Sequence, residues 1–261
     1  MLAKEIKNEL GKQGMETRFF SYTDNPILER DFDIALSLGG DGTVLFTARS
    51  VSALGVPILP LNLGTLGFIA SVHPSKWLEV FNRWRDNNVT FSERLMLDVH
   101  VERAGKTVFS MPALNDAVIS ASGIAKTIRL VALSKEMHVG SYRSDGLIAA
   151  TPTGSTAYCA SAGGPILDPE MEAIILNPIC PFTLLYRPLV LPPDKITVKV
   201  EPDQRSGVLL TIDGQLTEAL EPNDLVMIQS APFKARFIAS GRHAFFSALH
   251  SKLAMLGGGN A

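Results

Sequence analysis

The stretch SLGGDGT, residues 37–43, places one carboxylate among three glycines where an apolar run gives way to a helix-like run. The first amides of a helix lack acceptors inside the helix and its dipole favours an anion, so such a turn could hold a phosphate. Asp41 would repel that phosphate unless it faces a hydroxyl group or a metal ion. Glycine turns also close many βα units for steric reasons alone, and that interpretation is equally open here.

Two further stretches have polar or glycine-rich character directly after predicted strands. The turn NLGTLGF, residues 62–68, follows the next strand, and turns at the carboxyl ends of neighbouring parallel strands line a common crevice. Both turns could therefore face one ligand, although NLGTLGF could also be only a tight connection. The block at 144–164 contains four closely spaced hydroxyls, which are those of Thr151, Thr153, Ser155 and Thr156. Such hydroxyls can bind phosphate or ribose oxygens, and helix capping would account for one or two of them.

Composition limits the class of protein. The 261 residues are 46% hydrophobic, enough for a full core, and we expect two domains. The 24 basic residues are scattered and balanced by 26 acidic ones, which argues against nucleic acid as a partner. Cys159 and Cys180 form no disulfide or zinc pattern, so a reducing compartment is expected. The charged N-terminal segment and the absence of a long unbroken apolar run predict a cytoplasmic protein without a membrane span.

The first third of the chain alternates between helix and strand patterns. Helices are predicted over 2–14, 43–54 and 75–86, and strands over 15–22, 33–38 and 56–61. The last two strands are continuous apolar runs, which is typical of a parallel sheet covered on both faces. The spacing of the apolar residues in 75–86 predicts a helix face that packs in the core, formed by Trp77, Val80, Phe81 and Trp84.

From about Phe91 the hydrophobic period changes to two. RLMLDVHVE followed by the turn AGK predicts a hairpin, and further strands are predicted at TIRLVAL, KITVKV, GVLLTID, LVMIQS and KARFIAS. This region is expected to form two packed sheets. A helix is predicted near the C-terminus, with one apolar face made by Phe246, Leu249, Leu253 and Leu256. The fold class is therefore α/β plus all-β.

Five segments occur in the order and approximate spacing seen in NAD kinases, a family that the chain resembles over nearly its whole length. They are GGDGT at 39–43, NLGTLGF at 62–68, Asn115-Asp116 in ALNDAVI, the block SDGLIAATPTGSTAYCASAGGPI and the turn Asp213-Gly214-Gln215. GGDGT alone is similar in diacylglycerol and sphingosine lipid kinases and in phosphofructokinases. The TPTGSTAY block with the following AGGP is more specific and favours the NAD kinases.

The resemblance implies an enzyme that uses ATP to phosphorylate the 2′-hydroxyl of the adenosine ribose of NAD, giving NADP. It implies a Rossmann-like α/β domain at 1–92, a β-sandwich NAD-binding domain at 93–239, and a C-terminal helix at 240–261 that returns to the first domain. The change of period near Phe91 agrees with this division. A homodimer or homotetramer is also implied, because the NAD site of this family commonly includes residues of a neighbouring subunit.

Roles for individual residues follow from the same resemblance. Asp41 is expected to be the catalytic base. Donor phosphates are expected at Gly39, Gly40, Gly42 and Thr43. Binding of NAD is expected to involve Asp41, Gly42, Asn115, Asp116, Lys126, Arg143, Asp145, Thr156, Ala157, Tyr158, Ser161 and Gln215. Because no dedicated metal cage is evident, Mg²⁺ or another divalent cation is expected to arrive with ATP.

Some of these positions have simpler explanations when the resemblance is set aside. Asn115-Asp116 would be read as a turn between strands, and a solvated surface position fits Lys126 and Arg143 equally well. A lipid kinase would call for an apolar groove or an interfacial basic helix, neither of which is evident. A non-catalytic NAD or NADP sensor is the other alternative, and it would have no need of a base at Asp41.

The chain also departs from the family pattern at three places. It starts directly at a helix, where the family usually has a strand first. Asn115-Asp116 replaces the usual Asn-Glu pair and shortens the reach by one methylene. Phe182 stands where many relatives carry a histidine.

Overall fold

A computed structural model describes residues 2–21, 31–64, 67–124, 126–183 and 185–257. The α-helices are α1 (Leu2–Lys12), α2 (Asp41–Val51), α3 (Trp77–Arg85), α4 (Tyr158–Ser161) and α5 (Arg242–Gly257). The strands are β1 (Ala35–Gly39), β2 (Ile58–Asn62), β3 (Phe91–Arg103), β4 (Lys106–Ala113), β5 (Asp116–Ala121), β6 (Ile128–Ser134), β7 (Met137–Ser144), β8 (Gly146–Ala150), β9 (Ile174–Ile179), β10 (Leu189–Leu191), β11 (Ile196–Val200), β12 (Val208–Ile212), β13 (Leu216–Leu220) and β14 (Leu225–Ile238). Short 3₁₀ turns follow α2 and precede α3 and α4.

The N-terminal part is a parallel pair of strands between two helical layers. β1 and β2 run parallel. Every residue of β2 is buried, as its continuous apolar run predicted, whereas in β1 only Ser37 is buried and the other residues are intermediate. Ile58 packs in a cluster with Val44, Ala48 and Val51 of α2. Leu59 and Leu61 belong to a second cluster, with the apolar faces of α1 and α3. The predicted core face of α3 is confirmed.

The following region is a sandwich of two antiparallel layers. One sheet has the strand order β10-β9-β8-β5-β12-β13. The opposing layer contains β4, β3, β14, β11, β6 and β7. Alternating apolar residues from both layers fill the space between them, including Val99, Leu130, Ile119 and Leu210. The predicted hairpin is confirmed: β3 and β4 pair antiparallel around Ala104 and Gly105, which both have positive φ. The fold class, α/β plus all-β, is confirmed.

β14 joins the two regions, a connection that the sequence pattern did not indicate. LVMIQS and KARFIAS were predicted as separate strands but are two halves of this one element. Its first half pairs with β11 of the sandwich, and Phe237 in its second half pairs with Ile58 of β2. Along both halves it pairs with β3, and the register shifts between Ser230 and Lys234. Pro232 lies inside the shift, where its missing N–H removes no regular ladder bond.

The helix α5 packs back on the α/β part, as the resemblance implied. The Phe245 ring lies 5.9 Å from the Phe68 ring, and the Lys252 ammonium lies 4.1 Å from the centre of the same ring. The predicted apolar face is wrong at Phe246, which is 44% exposed, whereas Phe245 and Ala248 are buried and Leu249 is intermediate. The side chains of Leu253 and Leu256, also predicted for this face, lie outside the described residues. Apolar residues occur around this helix, so their spacing alone does not select the buried side.

The predicted strand at 15–22 was also wrong over the residues that the structure describes. Residues 15–21 have no regular secondary structure. Arg18 in this segment is ion-paired with Asp31, and Phe19 and Phe20 are about half exposed. Strand propensity is not enough where no neighbouring strand supplies hydrogen bonds.

The limits predicted for the domains stay a prediction. One sheet crosses the expected boundary at 92/93, because β3 begins at Phe91 and pairs with β14 along its length. Within the described ranges, no helix is long and apolar enough to cross a membrane.

Candidate active site

The two glycine turns meet at the Asp41 carboxylate. Asp41 is the first residue of α2, and Gly40 caps the helix in an extended conformation. Its Oδ2 accepts a hydrogen bond from the amide of Phe68 at 2.9 Å. Its Oδ1 accepts from the amides of Ile69 at 3.1 Å and Ala70 at 2.9 Å. The end of the second turn and the two residues that follow it therefore hold the acid of the first turn through their backbone donors.

Steric limits explain two of the glycines. A Cβ atom at Gly67 would lie 2.1 Å from Asp41 Oδ1, so a side chain there would displace the carboxylate. A Cβ atom at Gly39 would lie 2.1 Å from the Thr43 hydroxyl oxygen. The amide of Thr43 donates to the Gly40 carbonyl at 3.0 Å. The amides of Asp41 and Gly42 precede the first helical hydrogen bond and point out of the helix start.

A buried ion pair ties α2 to the sandwich. Arg49 Nη1 lies 2.7 Å from Asp213 Oδ2, and the two side chains are 6% and 0% exposed. The same carboxylate accepts hydrogen bonds from the amides of Leu114, Asn115 and Asp116 at 3.1, 2.7 and 3.1 Å. Asp213 thus fixes the connection between β4 and β5 relative to α2.

Gln215 strengthens this link between the two regions. Its side-chain amide donates to the Gly42 carbonyl at 2.8 Å, and its side-chain oxygen accepts from Arg49 Nη2. Asp213 and Gly214 both have positive φ, 51° and 66°, and form the turn that presents Gln215. The expected site residues Gly42 and Gln215 are therefore in direct contact.

Asn115 and Asp116 line a cavity of about 400 Å³ in the β-sandwich. Ala157, Tyr158, Asp213 and Gly214 also face this cavity. The Asn115 side-chain oxygen is buried without a hydrogen-bond partner. Asn115 does lie in a connection between strands, and it also offers an open acceptor beside the cavity.

Asp116 is 4% exposed, and no group of the described residues donates to its carboxylate. Burial, with a smaller contribution from the nearby Asp213 charge, raises the pKa of Asp116 to about 7. Arg49 and three amides compensate Asp213, whereas Asp116 has no such partners. Asp116 therefore keeps its proton up to about neutral pH.

The hydroxyl-rich segment serves the fold more than expected. Thr151 donates to the Leu114 carbonyl at 2.5 Å, and Ser155 donates to the Pro152 carbonyl at 2.6 Å. Thr156 donates to the Thr153 carbonyl at 3.3 Å. The Thr153 hydroxyl is buried without a partner. Three of the four hydroxyls thus have protein partners, and ligand binding is not needed to explain them.

Four expected NAD-binding residues lie outside this cluster. Ser161 and Lys126 are exposed and do not line the cavity. The Arg143 guanidinium lies 4.6 Å from the centre of the exposed Phe182 ring, which occupies the position of the family histidine. Asp145 lies beyond the far end of β5 from Asp116, because Asp116 pairs with Ala150 and Ser120 pairs with Gly146.

Sequence reasoning assigned no role to Arg49, or to the amides of Phe68, Ile69 and Ala70. Arg49 follows the buried Leu45 by four residues and so shares its side of α2, which is an available signal for a buried cation. Backbone donors leave no comparable signal. In the described part of the chain, no group of three or more His, Cys, Asp or Glu could hold a metal ion.

Comparison with known proteins identifies the family. The profile of the ATP-NAD kinase N-terminal domain matches residues 3–88, and that of the C-terminal domain matches residues 114–240. The chain is 40% identical over 260 residues to an NAD kinase of Treponema denticola, covering 98% of this chain and 92% of the relative. The chain belongs to the ATP-NAD kinase family. An NAD kinase of Citrifermentans bemidjiense is 39% identical over 95% of this chain and 86% of its own length.

Solved structures of the ATP-NAD kinase family share the fold. An Archaeoglobus fulgidus NAD kinase in complex with ATP has a TM-score of 0.77 and 27% identity, covering 95% of this chain and 94% of that one. Yeast NADH kinase complexed with NADH has a TM-score of 0.79 and 26% identity, covering 85% of this chain and 67% of the yeast chain. Membership of this family excludes the lipid-kinase interpretation of GGDGT.

The raised pKa of Asp116 predicts a pH-dependent stability. The folded state keeps the Asp116 proton over a range in which the unfolded chain has lost it, so stability falls as the pH rises from about 4 to about 7. Asp116→Asn removes this titration and keeps the side-chain size. We expect the variant to be more stable than wild type at pH 8, by at most about 4 kcal/mol, with the gap closing toward pH 4.

Thermal unfolding between pH 4 and pH 8 measures this difference. The exposed Asp203→Asn is the matched control and should follow wild type throughout. A difference between Asp116→Asn and wild type that does not change with pH would contradict a raised pKa.

The packing of Gly154 predicts a second stability effect. A Cβ atom there would lie 2.1 Å from the Asn115 carbonyl oxygen, so Gly154→Ala must move the backbone beside the cavity. We expect it to lower the free energy of unfolding by about 1–3 kcal/mol in urea denaturation. Gly11→Ala, in α1 with nothing within 4 Å, is the control and should raise it by up to about 1 kcal/mol. Equal effects of the two changes would rule out the collision.

Proposed function

We propose that this chain transfers the γ-phosphoryl group of ATP to the 2′-hydroxyl of the adenosine ribose of NAD, with Asp41 as the general base. The observation that carries the proposal is the Asp41 carboxylate, which is fixed by three backbone amides at the start of a helix. Membership of the ATP-NAD kinase family supplies the reaction. The geometry of the site gives a role to each group.

The hydrogen-bonding capacity of Asp41 leaves one position for the substrate. A carboxylate offers about four lone-pair sites, two on each oxygen. Oδ1 receives two amide donors and Oδ2 receives one, so Oδ2 keeps one site. A ribose hydroxyl that donates to this site would be oriented for attack on the γ-phosphorus. The bond from the γ-phosphorus to the bridging oxygen breaks, ADP leaves, and the hydroxyl proton passes to Oδ2.

The donor phosphates would lie at the start of α2. The open amides of Asp41 and Gly42, with the helix dipole, favour an anion there. Gly40 keeps the approach free of side chains, because the space where its Cβ atom would lie is open. At Gly39 that space is filled by the Thr43 side chain, which supports the turn. A divalent cation such as Mg²⁺, chelated by the ATP phosphates, would neutralise their charge. This fits a chain whose described residues form no metal cluster.

The acceptor NAD would occupy the 400 Å³ cavity and extend from it toward Asp41. The open oxygen of Asn115 can accept an N–H group, and Asp116 can accept from a hydroxyl or an amide once its proton is lost. Ala157 and Tyr158 provide an apolar wall, with Thr156 and Ser161 next to them in sequence. Gln215 joins the cavity to Gly42.

A homodimer or homotetramer would bring Lys126, Arg143 and Asp145 to a neighbour's NAD. These residues share one end of the sandwich with three exposed apolar side chains, Ile124, Phe182 and Leu185, which are 97%, 73% and 88% exposed. The Phe182 amide donates to the Arg143 carbonyl at 2.8 Å, so the apolar and polar residues are adjacent. Exposed apolar clusters of this kind favour a protein interface.

A cytoplasmic location is the other part of the proposal. Cys159 is buried and Cys180 is exposed, and both are free thiols. Free thiols suit a reducing compartment, where the chain would not be oxidised at Cys180.

The role of Asp41 is tested by Asp41→Asn. The amide cannot take the hydroxyl proton, so we expect kcat to fall by about 10²–10⁴ while the KM for ATP changes little. One carboxylate–amide bond is also lost, which should cost about 1 kcal/mol of stability. NADP formed from ATP, Mg²⁺ and NAD is read with a dehydrogenase that ignores NAD. Asp33→Asn, an exposed acid before β1, is the control. Near-wild-type turnover of Asp41→Asn would contradict its role as the base.

The oligomer is tested by Leu185→Asp. A charge in the exposed apolar cluster should dissociate the assembly, and light scattering after size exclusion should show a smaller particle than wild type. Because the neighbour's polar residues leave with it, the KM for NAD should rise. Val108→Asp is the control, because Val108 is 46% exposed on β4, and it should leave the particle size and the KM for NAD unchanged. Wild-type enzyme that is monomeric by light scattering would contradict the proposed homodimer or homotetramer.

A further inference from the structure

Arg94 is a buried cation with no direct carboxylate partner among the described residues. It is 1% exposed and lies in β3. Its Nε donates to the Ser92 hydroxyl at 2.7 Å, and its Nη2 donates to the Ser240 carbonyl oxygen. Burial of a cation costs free energy unless the cation is hydrogen-bonded, so the contacts of Arg94 must compensate for its lost hydration.

Acidic residues lie one contact away from Arg94. The Ser92 hydroxyl donates to Glu170 Oε1 at 2.7 Å. Glu170 and Asp168 are in turn paired with the half-exposed Arg242, at 3.6 and 2.6 Å. Burial lowers the pKa of Arg94 to about 10, and the charges of Glu170 and Asp168 oppose that change. Arg94 therefore remains a cation at neutral pH.

Ser240 carries the interaction from Arg94 to the second glycine turn. Its hydroxyl donates to the Ile69 carbonyl at 2.8 Å and is 2.6 Å from the Ser71 hydroxyl. The Ser71 hydroxyl also donates to the Ala239 carbonyl at 3.0 Å. Ser240 is 2% exposed and lies between β14 and α5. The start of α5 is thereby fixed to the turn at 68–71.

The same turn holds the reacting carboxylate. Ile69 accepts from Ser240 through its carbonyl, and the N–H of the same planar peptide unit, which is that of Ala70, donates to Asp41 Oδ1 at 2.9 Å. The Ile69 amide donates to the same oxygen at 3.1 Å. One peptide unit thus joins the Arg94–Ser240 contact to Asp41. A hydrogen-bonded chain of this kind transmits a displacement at one end to the group at the other.

We propose that Ser240, held by Arg94, is a positioning residue for Asp41. It fixes the peptide unit between Ile69 and Ala70, whose N–H donates to Asp41 Oδ1, and so fixes the direction in which Oδ2 presents its one open acceptor position. This inference rests on the proposed role of Asp41 as the base. Neither Ser240 nor Arg94 is placed against substrate, so their effect acts only through the carboxylate. Because proton transfer needs an accurate approach, a small rotation of Asp41 should slow the reaction more than it weakens binding.

Ser240→Ala tests the proposal. It removes the hydroxyl that fixes Ile69 and leaves the carbonyl that Arg94 contacts. We expect kcat to fall about 10-fold, with the KM values for ATP and NAD nearly unchanged. Ser247→Ala, the same change at an exposed position of α5, is the matched control and should keep wild-type kinetics. A Ser240→Ala enzyme with the kinetics of Ser247→Ala overturns the proposal.

A double-mutant cycle with Asp41→Asn separates positioning from general loosening of the structure. If Ser240 acts through Asp41, Ser240→Ala should lower kcat about 10-fold in wild type and hardly at all in Asp41→Asn. An equal loss in both backgrounds overturns the proposal. Near-normal turnover of the single variant Asp41→Asn would instead contradict the role of Asp41 as the base. Failure of the proposed function can therefore be told apart from failure of the Ser240 proposal.

Ser71→Ala provides a second route if Ser240→Ala does not fold. Ser71 is only part buried, and its substitution by Ala removes one partner of the Ser240 hydroxyl. We expect a smaller fall in kcat, again absent in the Asp41→Asn background, with circular dichroism and the melting temperature confirming the fold. A fall that persists in the Asp41→Asn background counts against the proposal.

Discussion

The buried Arg49–Asp213 ion pair is the interaction on which the site depends. Two charges in such a setting are stable only when their remaining hydrogen-bonding positions are filled, and removing one partner leaves the other uncompensated. Asp213 meets that requirement with three amides of the β4–β5 connection, and Arg49 meets part of it with Gln215. The helix that starts with Asp41 is thereby fixed against the segment that carries Asn115 and Asp116. The main effect of the ion pair is to hold α2 in place against the β4–β5 connection, and its net contribution to the free energy of folding is secondary.

Backbone amides explain how an acid can belong to a turn suited to anions. A glycine turn offers several N–H groups, and each group can serve either the protein or a ligand. The second turn gives three of them to Asp41, so the negative charge of Asp41 is compensated before any phosphate approaches. The amides at the start of α2 have no acceptor inside the helix and can serve an anion. The first turn can therefore attract an anion while the second turn holds the acid, and Gly67 allows the two turns to meet because it has no side chain.

Local patterns predicted the elements of this fold better than their connections. The apolar runs of β1 and β2, the core face of α3 and the hairpin at Ala104-Gly105 follow from periodicity and turn chemistry, which act over a few residues. Three features depend on partners far away in sequence. They are the continuity of β14 as one strand, the choice of the buried side of α5, and the irregular conformation of residues 15–21. In the site, the glycine motifs identified Asp41. The contacts Arg49–Asp213, Arg94–Ser240 and Ser240–Ile69 could not be predicted, because each joins residues more than a hundred positions apart.

The path of β14 shows why these distant contacts belong together. Its first half pairs with β11 in the sandwich, and its second half ends beside β2 and delivers Ser240 to Ile69. The strand therefore runs from the layer behind the cavity lined by Asn115 and Asp116 to the segment that holds Asp41. A rotation of one region against the other would break the ladder between β3 and β14, which extends from Leu225 to Ile238. The position of Asp41 relative to the cavity is thus supported on one side by Arg49–Asp213 and on the other by Arg94–Ser240.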